Sequence, residues 1–172
     1  MKTILNSIEN SIQNNNWYSA LVLSLIIPDI CGKLEGEQKS SKRYPAWFNK
    51  YLGKKYQNFL SGDDCYALRC SYLHEGSDNI EMQRAKDVLD HFVFISDGSH
   101  CNRFNNCYFG DPKYDGKNFL QLSVRQFCQD MVEAANQWLE DVSSNQEIQS
   151  NIREMLTIHE REFRIGSALR IG

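Results

Sequence analysis

Arg69 and His74, five residues apart, are the pair in this 172-residue chain with the clearest chemical use. A guanidinium can fork onto two phosphate oxygens, a geometry that lysine lacks. An imidazole titrates near pH 6.5 and can therefore take up or release a proton at neutral pH. Together they meet the needs of metal-free RNA cleavage. A base draws the proton from a 2′-hydroxyl, whose oxygen attacks the adjacent phosphate. A cation steadies the charge on the non-bridging oxygens, and an acid protonates the departing 5′-oxygen. The same two residues have a purely architectural use, with Arg69 paired to a carboxylate such as Asp63 or Asp64 of a partner chain and His74 capping its helix.

Both lie in Ser61–Gly76, SGDDCYALRCSYLHEG, which reads as a helix with marked ends. Ser61 and Asp64 have capping-box spacing, and Asp63 and Asp64 set negative charge at the positive end of the helix dipole. Gly76 stands where a left-handed residue closes a helix. At about 100° per residue, Asp64, Ser71 and Glu75 gather in one polar sector, expected to face water. Arg69 falls instead between Cys65 and Leu73, among apolar neighbours. A charge in such a place must find a partner, and a second copy of the chain or a bound anion is expected to supply it. Arg69 and His74 are about 140° apart around one helix axis, so a two-fold contact brings them together more naturally than one chain does.

The segment ALRCSYLHEG, with Arg69 and His74 in R-x4-H spacing, resembles the motif helix of HEPN domains. The resemblance implies a helical bundle that forms a homodimer, with Arg69 and His74 of both protomers making a metal-independent RNA-cleaving site. Such domains occur in prokaryotic toxins and defence proteins, so it also implies an endoribonuclease of toxin or phage-defence type, with an antitoxin or other partner protein. Active members commonly carry a polar residue after the arginine, often Asn, where this chain has Cys70. That departure leaves a second reading, a catalytically silent HEPN-like module that binds a partner protein or nucleotide.

The chain has a net charge of −3, yet Lys33–Lys55 holds seven Lys/Arg against two acids. Lys50, Lys54 and Lys55, with Trp47 beside them, have the composition that receives single-stranded nucleic acid, cations beside an aromatic ring. A charge run of this length also serves as an ordinary solvated helix face.

The elements that must position these residues are mostly helical. Ile4, Leu5, Ile8 and Ile12 step at helical spacing over about 3–13. Asn16 caps a second helix from Trp17, apolar nearly all round and so expected at the centre of a bundle, kinked at Pro28. Pro45 suits the first position of a third. A further helix is expected over about 79–90. His91–Ser96 reads as a strand, Cys101–Phe104 as its hairpin partner and Phe119–Leu122 as a third strand. Ser123 with Gln126, and Ser144 with Glu147, open two last helices; the second carries Ile148, Ile152, Met155, Leu156 and His159 on one side. The expected fold is thus mainly α, one HEPN-like domain over 1–160 with a small antiparallel β meander inserted at about 91–122. A basic, apolar tail, 161–172, follows.

Composition narrows the classes. With 41% hydrophobic and 24% charged residues this is ordinary globular protein. The apolar run Ala20–Ile27 is short for a bilayer, and the N-terminus lacks a continuous apolar signal region, so no membrane association is expected. Six irregularly spaced cysteines fit reduced thiols in a cytoplasm. His91, His100, Cys101 and Cys107 are candidate zinc ligands, but no C-x2-C pair supports them, so no metal and no cofactor is expected. Cys70 and His74 share a helix face as a nucleophile and base would, without an orienting third group. No glycine pattern of a phosphate loop is present.

Overall fold

The computed structural model describes residues 1–159 and the backbone of two short strands beyond them. Among the described residues there are six helices: α1 (Lys2–Gln13), α2 (Trp17–Glu35), α3 (Ser40–Tyr51), α4 (Gly62–Glu75), α5 (Val124–Asp141) and α6 (Gln146–Arg153). Between α4 and α5 lie β1 (His91–Ile95), β2 (Asn102–Cys107) and β3 (Lys117–Ser123). The mainly α architecture agrees with the sequence.

Because α2 is apolar on nearly every side, it is the element the others surround; α1, α3, α4, α5 and α6 all pack against it. Leu21, Leu25, Ile27, Pro28 and Cys31 are buried along it, and the helix runs on through Pro28 to Glu35. It is long and apolar enough to cross a bilayer, and here 44% of that span is buried within the fold. Asn16 caps its start by accepting the Ser19 N–H.

Pro45 is not the first residue of α3 but lies inside it. The helix starts earlier because Asp29 of α2 holds its first turn, accepting Ser40 Oγ at 2.7 Å and Arg43 Nε at 2.9 Å. α3 and α4 then pass unusually close. A Cβ at Gly62 would stand 2.6 Å from the Pro45 carbonyl oxygen, so only glycine fits at that crossing. Gly62 N–H donates to Asn49 Oδ1 at 2.9 Å, which joins the start of α4 to α3.

The expected helix over 79–90 does not form, and the expected wet face of α4 is the reason. Asp64 and Ser71 are buried, 1% and 0% exposed. The Asp64 carboxylate accepts the N–H groups of Asp87, Val88 and Leu89 at 2.8, 3.2 and 3.3 Å, and Ser71 Oγ donates to the Asn79 carbonyl at 2.6 Å. Backbone donors and acceptors that a helix would use internally are thus taken by α4 side chains, and the segment crosses as extended chain and turns. Asp64 accordingly makes only half of a capping box. Ser61 Oγ accepts its N–H at 3.1 Å, while its carboxylate faces the other way.

The β insertion is a mixed sheet, not an antiparallel meander. Its order is β1-β3-β2, with β1 parallel and β2 antiparallel to β3. Cys101–Phe104 therefore does not pair with the first strand. The side chains explain the order: β3 presents Phe119 to one face and Leu120 and Leu122 to the other, all buried, which suits a centre strand. β2, NRFNNC, is mostly polar and takes an edge. Phe92, Leu120 and Leu122 are fully buried, and the Phe94 ring meets Phe127 of α5 edge-on at 6.1 Å, which ties the sheet to the bundle.

Ser123 caps α5, accepting the Gln126 N–H at 3.3 Å. Asn145, and not Ser144, caps α6. That helix ends at Arg153, so Leu156 is exposed. In the expected tail, β4 (Phe163–Ile165) and β5 (Leu169–Ile171) form an antiparallel pair; any docking of 161–172 lies outside the described residues.

Candidate functional site

α4 is built as its sequence suggests. Ser61 caps it, Asp63 and Asp64 occupy the first turn, and Gly76 closes it with φ 66°. Gly62, Cys65, Ala67 and Leu68 pack inward. What remains at the surface is a half-buried stripe, Tyr66, Cys70 and Leu73, at helical spacing. Arg69 borders it on one side and His74 on the other, by their angular positions. His74 is exposed and makes no hydrogen bond or ion pair with a described residue.

Arg69 is not stranded. Its Nη2 meets Asp29 Oδ2 at 3.2 Å, within the same chain. The expectation that a second copy or an anion must supply its partner is therefore corrected. The carboxylate was not evident because it lies 40 residues away on another helix. Asp29 is shared: Arg43 binds its other oxygen at 2.9 Å, and Arg43 Nη1 donates to the Gln38 carbonyl at 2.6 Å. Two guanidiniums on one carboxylate leave this knot with one positive charge in excess. Arg69 Nε is buried without a hydrogen-bond partner. The knot lies where α2, α3 and α4 meet, so it both fastens the three helices and keeps cationic character beside the stripe.

The basic stretch divides into different roles. Lys50 lies over the Tyr51 ring, 4.7 Å from its centroid. Lys54 is exposed and forms no ion pair with a described residue. Lys55 is engaged, with Asp130 Oδ1 at 2.5 Å and Glu133 Oε2 at 3.1 Å. Trp47 is 3% exposed and packs against Tyr51, so its ring offers no face to a stacking base. Spacing placed its indole beside the lysines, whereas the helix turns it inward, where its bulk fills the core. Trp47, Arg43 and Lys50 instead line one wall of a cavity of about 200 Å³ between α2 and α3.

Sequence reasoning missed a second constellation, built on Asp130 of α5. This carboxylate is 1% exposed. It accepts Tyr56 Oη at 2.8 Å and Gln126 Nε2 at 2.7 Å besides Lys55. His100 Nε2 stands 3.2 Å from Tyr56 Oη, and its Nδ1 accepts the Ser123 N–H at 3.3 Å. Nδ1 therefore carries the lone pair and Nε2 the proton. Burial holds His100 below the ordinary imidazole value, and Lys55 acts in the same direction. Both ring nitrogens are occupied, so the group ties the loop before β2 to α5 and leaves no free base. The one available signal was an acid seven residues into a capped helix, on the face of its apolar positions Phe127, Met131 and Ala134, with a lysine run elsewhere to match it.

His91, His100, Cys101 and Cys107 do not converge. His91 Nε2 pairs with Glu81 at 3.0 Å, and Cys107 Sγ donates to the Asn105 carbonyl. Among the described residues no group of three or more His, Cys, Asp or Glu is placed to hold a metal ion. All six cysteines are free thiols. Burial pushes Cys65 up to about 12 and Cys101 and Cys128 up to about 11, so these three are protonated at neutral pH. Comparison with protein-family models, curated proteins and solved structures gave no match.

Proposed function

We propose that this chain is a HEPN-like, metal-independent endoribonuclease of toxin or phage-defence type, acting as a cytoplasmic homodimer. The observation that carries the reading is the half-buried stripe of α4, bordered by Arg69 on one side and the free, exposed His74 on the other. Two such stripes packed about a two-fold axis set Arg69 of each chain beside His74 of its mate. Arg69, with charge to spare over Asp29, takes the phosphate oxygens. The imidazole beside it removes the 2′-proton and, once protonated, returns a proton to the departing 5′-oxygen. Lys50 and Lys54 guide the RNA, and Lys55 contributes less because Asp130 and Glu133 hold it.

The silent-module reading also has a specific observation behind it. Asp29 already holds Arg69, and Cys70 follows the arginine in place of a polar residue. Incubation of purified protein with RNA in excess EDTA separates the two. Cleavage that is lost in both Arg69→Gln and His74→Ala, each with unchanged melting behaviour, supports the enzyme. Intact RNA at all protein concentrations supports the module.

A further inference from the structure

The α2–α3 cavity has a chemistry that neither the helix motif nor the core explains. Lys50 lines it from α3 together with Arg43, whose Nε and Nη2 meet Asp29 and whose Nη1 meets the Gln38 carbonyl. Glu35 supplies a carboxylate from α2, already accepting the Trp138 indole N–H at 2.6 Å through Oε1. Trp47, 97% buried, lines the cavity, and its indole N–H, without a hydrogen-bond partner and sealed from solvent, sits in the wall as a reporter. Gly36 also lines the cavity, and a Cβ there would meet nothing within 4 Å. The ligand that answers such a wall carries phosphate oxygens for Lys50 and a hydroxyl to donate to the carboxylate. A sugar–phosphate unit has both, and ribose hydroxyls are what an acid of this kind recognises in nucleotides. The volume, about 200 Å³, lies below the roughly 300–1,000 Å³ of a site that swallows a drug-sized molecule and suits one such unit.

We propose that the cleft between α2 and α3 is a ribose-phosphate subsite, with Lys50, beside Arg43, on the phosphate and Glu35 on a ribose hydroxyl. This rests on the ribonuclease reading for its purpose, since Arg43 shares Asp29 with Arg69 and so places the subsite next to the cleavage arginine. It stands as a binding site whether or not the chain cuts RNA.

The test is nuclear magnetic resonance on the full chain, following the Trp47 indole N–H during titration with adenosine 5′-monophosphate. Two-dimensional spectra with 2′-deoxyadenosine 5′-monophosphate and with inorganic phosphate are the comparison. Gly36→Leu adds bulk at the cavity lining without backbone strain, because Gly36 has an extended φ of 165° that any residue adopts. The expected result is saturable binding of the ribonucleotide, weaker for the deoxynucleotide and weakest for phosphate. Lys50→Gln and Gly36→Leu should each weaken it on the order of tenfold, with melting temperature unchanged for Gly36→Leu. No saturable shift, equal affinity for all three probes, or full binding in Gly36→Leu overturns the proposal. Because no step is catalytic, failure here is distinct from failure to cleave RNA.

Discussion

Changing Asp29 to Asn keeps the side chain's shape and removes the charge that α3 and α4 share. Arg43 and Arg69 are then left 19% and 20% exposed with no carboxylate between them. Removing one partner of a fully buried ion pair costs about 3–5 kcal/mol. Here each arginine side chain keeps about a fifth of its surface in water, and Arg43 retains the Gln38 carbonyl at 2.6 Å. The lower end applies, about 3 kcal/mol, equivalent to a fall in Tm of about 6–12 °C for a chain of this size. Urea unfolding should show a lower midpoint with an unchanged m-value. Arg69→Met should cost less, since Asp29 keeps Ser40 and Arg43, and the double variant should show a coupling of about 1–2 kcal/mol. A loss under about 1 kcal/mol in Asp29→Asn, or additive effects in the cycle, would refute the idea that this carboxylate fastens the three helices.

Gly62→Ala should destabilise by about 1–3 kcal/mol, because the new methyl meets the backbone of Pro45, which cannot rotate aside; urea unfolding reads this, and a neutral result would mean the helices can part freely. Asp64→Asn should cost about 2–3 kcal/mol and speed hydrogen exchange at the amides of Asp87, Val88 and Leu89 more than elsewhere. His100 is held below its unfolded value of about 6.5, so its stabilising contribution is present above that pH and is lost as pH falls through the folded value. The urea midpoint of the parent should therefore drop between about pH 7 and 5, and that of His100→Gln should drop less; a parent that gains stability on acidification would contradict the buried neutral imidazole.

Much of the helical frame was legible because its signals are local. Asn16, Ser61, Gly76 and Ser123 mark their helix ends as their chemistry dictates. The all-round apolar character of residues 20–31 gives the central helix. What the sequence hid depends on groups distant in the chain. Asp64 looked like a surface residue of a first turn, and its three backbone partners lie 23 to 25 residues on. Those bonds turned an expected helix into extended chain. Asp29 carried no signal that it would meet Arg43 and Arg69, so a solvent-poor arginine pointed outward to a second chain when its partner was already inside the first. Strand order failed for the same reason. β1 and β2 are adjacent in sequence, but β3 carries the apolar side chains needed in the middle. At the candidate site Arg69 and His74 border one stripe of α4, and Lys50 lines a cavity that nothing in the sequence announced. The Asp130 cluster was missed because its members come from three separate segments.

The most direct measurement mixes protomers. Arg69→Gln and His74→Ala chains, each inactive alone, are unfolded together, refolded and assayed on RNA in EDTA. If each site takes its arginine from one chain and its imidazole from the other, mixed dimers keep one intact site of two, and about a quarter of parental activity returns. No recovery in a mixture shown to contain mixed dimers would contradict a site assembled across the two-fold axis.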